Sequence, residues 1–322
     1  MVSSLSFMAK LPDLEGLAIF AKVAELRSFA GAAAELRLSK ATVSKAVARI
    51  EQRLGARLIV RSARRFSLTD AGRQLVGRAA HIVSEGEAAE DLTQAQVRMP
   101  RGLVRLAAPM SFGVSYVAPL LPEFLASYPD ISIDLHLNDA QTDVIGEGFN
   151  AAIRIAVQPG ASLTVQRLCE MPRYLVASPA YLKRQGRPTH PLHLAEHRCV
   201  GYSHAMASEV WRFTKGRRSV SVRPSGPLRV NNGDAMMPVL IAGTGIGVLP
   251  EFFLRDALEA NKRLERLLPD WSIPLGAVYW VTPPEGPLPK RVAVLGDYLT
   301  GKLAQTGPLE QSRRRSARKT LR

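Results

Sequence analysis

Residues 39–55 read Ser39-Lys40-Ala41-Thr42-Val43-Ser44-Lys45-Ala46-Val47-Ala48-Arg49-Ile50-Glu51-Gln52-Arg53-Leu54-Gly55. The opening serine can accept from the free N–H groups of a helix start, and the closing glycine can take the left-handed conformation that ends one. No proline intervenes, so the segment predicts a helix. At about 100° per residue, Val43, Val47, Ile50 and Leu54 share one narrow face, predicted to be buried. The opposite face carries Ala41, Lys45, Ala48, Arg49 and Gln52, with Thr42 at its edge and Ser44 to the side. A helix face this slim and cationic suits the major groove of duplex DNA. Lys45 and Arg49 would reach guanine acceptors or phosphates, and Gln52 a base edge or the backbone. Lys40 stands at the helix start, where phosphate is favoured. A surface lysine on its own is ordinarily just a solvated charge; the elements on either side make the reading specific.

Upstream, Leu14, Leu17, Ala18, Phe20, Ala21, Val23 and Ala24 are spaced as an amphipathic helix over 14–26. Ser28 then offers a cap to a short alanine-rich helix, Phe29 to Leu36. Downstream, residues 57–68 predict two short strands around a basic turn, whose Arg64 and Arg65 would enter a neighbouring minor groove. Thr69 caps a long proline-free helix from Asp70 to about Arg98. Its apolar stripe of Leu75, Val76, Ala79, Ile82 and Val83 suits pairing with the same helix of a second copy. Pro100-Arg101-Gly102 ends it and marks a domain boundary.

Charge agrees with this order. The 322-residue chain carries a formal net charge of +15, and in residues 1–69 cations outnumber acids twelve to five. Such an excess attracts polyanions. The two cysteines, Cys169 and Cys199, form no CxxC pair, which fits a reducing compartment. The N-terminus shows no export signal, and no apolar run is long enough for a bilayer, so a soluble, cytoplasmic protein without a membrane partner is expected.

Beyond residue 102 strands alternate with helices, which implies an α/β architecture. Strands are predicted at 103–107, 131–137, 151–156, 174–177, 248–249 and 278–281, and helices at 117–128, 235–242 and 291–303. Ligands of α/β sheets bind beyond the carboxyl ends of strands. Ser111 and Phe112 follow the first strand, Asn138 ends the next, and Asn231 lies in the polar turn 230–234 before a helix. Arg154 interrupts an apolar strand. These five are the candidate ligand residues; turn capping would equally explain Ser111 and Asn231, and an ion pair with Asp143 or Glu147 would explain Arg154. The arginine-rich segment 304–322 is expected to be disordered.

Other classes fit less well. GxSxG, HExxH and P-loop patterns are absent, and Gly243-x-Gly245-x-Gly247 has neither the spacing nor the strand-to-helix order of a dinucleotide fingerprint. No catalytic residue, cofactor or metal is therefore expected, although His190, His193, His197 and Cys199 raise the question of zinc. A transport receptor would need an export signal, and RNA recognition an aromatic-rich motif.

The spacing Leu17-x2-Phe20-x2-Val23-Ala24-x3-Ser28-Phe29-x2-Ala32-Ala33-x2-Leu36-x2-Ser39, followed by Val43-Ser44, Ile50-Glu51-x2-Leu54-Gly55-x2-Leu58-x2-Arg61 and Leu68-Thr69-x-Ala71-Gly72, closely resembles the N-terminal signature of LysR-type transcriptional regulators. The later motifs 109–113, 121–130, 148–154, 177–182 and 242–250 are similar to the CrgA-like branch of that family. The chain departs from the usual pattern at Lys40-Ala41, Ser44-Lys45 and Leu58-Ile59-Val60-Arg61, so its operator cannot be borrowed from a relative; lysine is a point donor where arginine is a planar fork.

The resemblance implies a winged helix-turn-helix domain, all-α apart from its wing, over 11–69 and a linker and dimerisation helix over 70–99. It implies a periplasmic-binding-protein-like effector domain over 102–303, made of two α/β subdomains, 102–175 with 271–303 and 176–270. Crossings between them would fall near 174–178 and 268–271. It further implies double-stranded promoter DNA, a small-molecule effector, a homo-oligomer (dimer or dimer of dimers) and RNA polymerase as partners.

Overall fold

The computed structural model describes residues 11–62, 65–93, 99–140, 143–157, 163–203, 210–255, 257–258, 262–274, 276–284 and 288–306. Two compact units emerge. One comprises the chain up to residue 98 with 143–150 and 286–289; the other holds the rest.

In the first unit, α1 (Leu14–Leu26), α2 (Phe29–Glu35) and α3 (Lys40–Leu54) precede the antiparallel strands β1 (Ile59–Ser62) and β2 (Arg65–Leu68), then α4 (Asp70–Thr93). The first three helix starts each have a cap. Asp13, Ser28 and Ser39 accept from the backbone N–H of Gly16, Gly31 and Thr42 at 2.9, 3.0 and 3.0 Å. Gly55 ends α3 with φ +65°, the left-handed conformation that a side chain would strain. The core gathers Ile19, Phe20 and Val23 of α1, Ala32 of α2, Val43, Val47 and Ile50 of α3, and Leu58. Leu54, expected on this face, is instead half exposed, because the helix ends there; the inner position belongs to the small Ala46.

Helix α4 also receives the segment 143–150. A Cβ on Gly77 would lie 1.9 Å from the carbonyl oxygen of Gly146, so only glycine allows this approach. Asn150 donates to Ser84 Oγ at 3.3 Å nearby. The sequence places this segment in the effector domain alone, because nothing local to it points to α4.

The second unit contains two five-stranded sheets. Strands β3 (Gly102–Ala108), β4 (Ile131–Leu137), β5 (Ala151–Ala156), β6 (Thr164–Met171) and β14 (Gly276–Thr282) form the first, in the order β4-β3-β5-β14-β6. Strand β3 runs parallel to β4 and β5, and β14 runs antiparallel to β5 and β6. Helix α5 (Met110–Phe112) continues through a π-turn, Gly113–Val117, to α6 (Leu121–Ser127), so the predicted helix 117–128 begins earlier. With α10 (Lys290–Thr306), these cover a core of Val104, Leu106, Phe124, Ile153, Trp280 and Leu295.

Strands β7 (Arg173–Ala177), β8 (Cys199–Tyr202), β11 (Leu228–Val230), β12 (Ile246–Pro250) and β13 (Glu265–Arg266) form the second sheet, in the order β11-β8-β12-β7-β13. Helices α7 (Pro179–Gln185), α8 (Gly233–Ile241) and α9 (Glu251–Arg255) belong to this half, and β9 (Trp211–Lys215) with β10 (Arg218–Val222) forms a separate hairpin. The crossings lie slightly outside the predicted places. All of β7 pairs with β12, so the chain crosses at Pro172, not at 174–178. Trp271 is buried in the second half, so the return falls between it and Gly276. Helix α10 reaches Thr306; the rest of the tail lies outside the described residues.

Candidate nucleic-acid interface and ligand junction

Helix α3 sorts its residues as its spacing demands. Lys40, Thr42, Lys45, Arg49 and Gln52 are exposed, Ser44 is half-buried, and Val43, Ala46, Val47 and Ile50 are buried. Thr42 Oγ1 lies 2.8 Å from Ser39 Oγ within the cap. Lys45 and Gln52 rise from a face otherwise lined by the small Ala41 and Ala48, which leaves backbone close to the surface. Beside the helix end, Ala48, Gln52, Gly55, Ala56 and Arg57 rim a depression of about 450 Å³. Arg64 and the side chain of Arg65 lie outside the described residues; the backbone of Arg65 pairs with Ser62.

Arg49 differs from its neighbours. Its Nε donates to Asp13 Oδ2 at 2.5 Å, and its Nη2 to Asp13 Oδ1 at 2.9 Å and to Glu15 Oε2 at 3.1 Å. The guanidinium, with the N–H of Gly16, holds the Asp13 carboxyl below its ordinary range. Arg49 thus ties α3 to the start of α1. The acids that claim it lie thirty-six and thirty-four residues upstream, beyond the reach of helical periodicity.

Sequence reasoning also missed Glu51. Its carboxylate is 6% exposed. Oε1 accepts from the backbone N–H of Leu58 and Ile59 at 2.9 and 3.3 Å, and Oε2 pairs with Arg57 at 3.2 Å. A charge so buried persists where hydrogen bonds satisfy it. Here the bonds run to the first residue of the wing. The one available signal is an acid one step from the apolar stripe.

In the second unit one of the candidate ligand residues, Ser111, meets polar side chains across the junction of the two halves. Ser111 Oγ donates to Asp234 Oδ2 at 2.5 Å and accepts from Asn232 Nδ2 at 3.4 Å. Asn232 Nδ2 donates to Asp139 Oδ2 at 2.5 Å, while Asp139 Oδ1 accepts from the Met110 N–H at 3.0 Å. Asn232 Oδ1 meanwhile caps α8 through the N–H groups of Asp234 and Ala235. Tyr202, at the end of β8, has its phenol pushed up to about 12, by burial first and then by the Asp139 carboxylate. Phe112 is fully buried, stacked on Tyr116 at 5.0 Å and met edge-on by Phe252 of α9 at 5.9 Å.

Of the five candidates, Ser111 and Phe112 are at the junction. Asn138 is exposed at the sheet edge, and its Oδ1 accepts from the Ala140 N–H within its own turn. Asn231 is exposed, and the bridging amide is Asn232, one position later, because the strand parity of 228–231 turns Asn231 outward. Arg154 sits opposite Tyr279 in the β5–β14 ladder, half-buried. Asp143 accepts from Gly146 N–H, and Glu147 from Asp143 N–H, each within one turn.

The histidines have local partners. His190 accepts from Leu192 N–H and meets Trp271 edge-on, and His197 Nδ1 lies 3.1 Å from the Tyr181 hydroxyl. Among the described residues no group of three His, Cys, Asp or Glu is placed to hold a metal ion, and no helix is long and apolar enough to cross a membrane.

Residues 14–73 match the family described as bacterial regulatory helix-turn-helix protein, lysR family, and residues 98–304 match the LysR substrate binding domain. The chain is 31% identical over 280 residues to the HTH-type transcriptional regulator PtxR of Pseudomonas aeruginosa, covering 87% of this chain and 89% of that one. It is 34% identical over 267 residues to an HTH-type transcriptional regulator of Xanthomonas campestris, covering 81% and 77%. Among solved structures it resembles full-length AphB, a virulence activator of Vibrio cholerae, at TM-score 0.55 and 25% identity over 89% and 98% of the two chains. It also resembles CrgA of Neisseria meningitidis, at TM-score 0.53 and 28% identity over 90% and 98%.

Proposed function

Because this chain belongs to the LysR family of bacterial transcriptional regulators, we propose that Lys40, Thr42, Ser44, Lys45 and Gln52 read or grip operator DNA, with Arg64 and Arg65 of the wing beside them. The chain is a DNA-binding transcriptional regulator with a C-terminal effector-binding domain. The single observation that supports these contacts is the exposed, alanine-thinned face of α3, with Lys45 and Gln52 standing clear of it. Arg49 takes a different part from the one expected of it. Committed to Asp13 and Glu15, it sets the angle between α3 and α1 and acts on DNA through that angle.

The effector belongs at the junction where Ser111, Asp139, Asn232 and Asp234 meet. A ligand there exchanges its own polar groups for the bridge between the halves, and so changes how they close. It shifts the protein only insofar as it binds one closure more tightly than the other. The regulator works in the cytoplasm as a homo-oligomer, a dimer or dimer of dimers joined through α4. Effector-driven rearrangement of its subunits alters the spacing of the DNA-binding domains along two half-sites, with RNA polymerase as the further partner. No catalytic step enters this scheme. Boundaries of 11–69, 70–99 and 102–303 describe the reader, linker and sensor.

Fluorescence anisotropy on the intergenic DNA beside the protein's own gene, against scrambled duplex at two salt concentrations, tests the reading. Sequence-selective binding abolished by Lys40→Ala/Lys45→Ala supports it. Equal binding to both duplexes at every salt, unchanged in the variant, removes it.

A further inference from the structure

The β9–β10 hairpin carries a second basic face, far along the chain from α3. From Val210 to Gly233 there are six arginines and lysines and not one acid. The hairpin register explains how they are displayed. Trp211 and Phe213 on β9 and Val222 on β10 turn inward and are buried, so Arg212, Ser219 and Ser221 turn outward. Arg212 stands directly across from Ser221, and exposed Arg223 continues the row beyond β10. The turn adds Arg217 and Arg218, both exposed, beside Gly216 at φ +57°. Lys215 is paired with Asp270 at 2.8 Å. Among the described residues no ion pair involves Arg212, Arg217, Arg218 or Arg223.

A cluster of like charges on a two-stranded ribbon is costly to hold together without a counter-charge. Its chemistry narrows the partner. The outward face offers guanidinium forks and hydroxyls, the groups that grip phosphate oxygens without reading sequence. It exposes no aromatic or large aliphatic side chain, the usual anchors of a protein partner. We propose that this hairpin is a second nucleic-acid surface, which takes the sugar-phosphate backbone of duplex DNA independently of sequence.

The test uses the full chain carrying Lys40→Ala/Lys45→Ala, so that α3 does not mask the hairpin. Binding to a non-operator duplex is followed across a salt series, with and without Arg212→Ser/Arg217→Ser/Arg218→Ser. The logarithmic salt slope should fall by about 2 to 3, at about 0.9 for each phosphate that the variant no longer neutralises. Separately, Ser219→Cys labelled with a thiol-specific photo-crosslinker should crosslink to duplex at low salt and not at high salt. An unchanged slope with no crosslink overturns the proposal. If the triple variant fails to fold, the crosslink alone decides. Loss of binding to polyglutamate with the DNA slope unchanged would assign the face to an acidic protein, and overturns it equally.

Discussion

The proposed reading helix and the proposed ligand junction are built on opposite plans. Outside the wing, every residue proposed to read the operator lies within residues 40–52, on one helix between one serine cap and one glycine. The junction joins Ser111 to Asp234, 123 residues away, and Asn232 to Asp139, 93 residues away. The first site is a surface that a single element displays. The second exists only when two sheets have folded and closed on each other. A site of the first kind changes chemistry by substitution on a fixed frame, whereas the second changes with the frame itself.

The largest effect should come from removing the two lysines at the first site. Lys40→Ala/Lys45→Ala is expected to weaken operator binding about a hundredfold, read by anisotropy, while leaving the response of the sensor half to ligand intact. Equal damage to both functions would break the separation of the two plans. Next, Glu51→Gln keeps the shape and removes the charge that holds the wing. It should cost about 2 kcal/mol of first-unit stability, seen as a lowered unfolding midpoint for that unit alone.

Smaller effects sharpen the contrast. Ser111→Ala removes one hydroxyl-to-carboxylate bond of the junction and should cost about 1–2 kcal/mol. Faster amide exchange around 231–236, with none around α3, would show it; uniform protection would mean that the bridge holds nothing. Arg49→Ala and Asp13→Asn should each weaken operator binding by the same few-fold factor, since both cut one clamp. A loss confined to Arg49→Ala would return that guanidinium to the DNA. Last, the Cys169 thiol is pushed up to about 11, chiefly by burial. Its alkylation at neutral pH should be slow and should climb toward pH 11; fast reaction at pH 7 would show a thiolate that burial does not suppress.

What is legible in the sequence follows the same division. The three helices, the serine caps of the second and third, and the wing obey local rules of periodicity and capping, and the structure repeats them. The exceptions, Leu54, Arg49 and Glu51, are decided by where the helix ends or by a partner off it. In the second unit the regular strands 131–137 and 151–156 are visible from alternation or apolar runs. Strands β6, β8 to β11 and β13 are not. Their polar and short sequences become strands only beside neighbours already in place, as β-structure depends on context. The same holds for Asn232. Nothing local distinguishes it from Asn231; which of the two faces the opposite half is a matter of parity fixed by β11 and α8.

The two N–H bonds of Glu51 also constrain how this protein can acquire new targets. They fasten the wing to the helix proposed to read the groove, so on that proposal the pair would turn as one lever about the duplex. On that proposal a promoter would have to present its read bases and its flanking groove at one fixed phase. Drift in operator sequence would then be open to this lineage through the side chains of α3, whereas drift in the phase between the two grooves would be closed until that carboxylate is replaced.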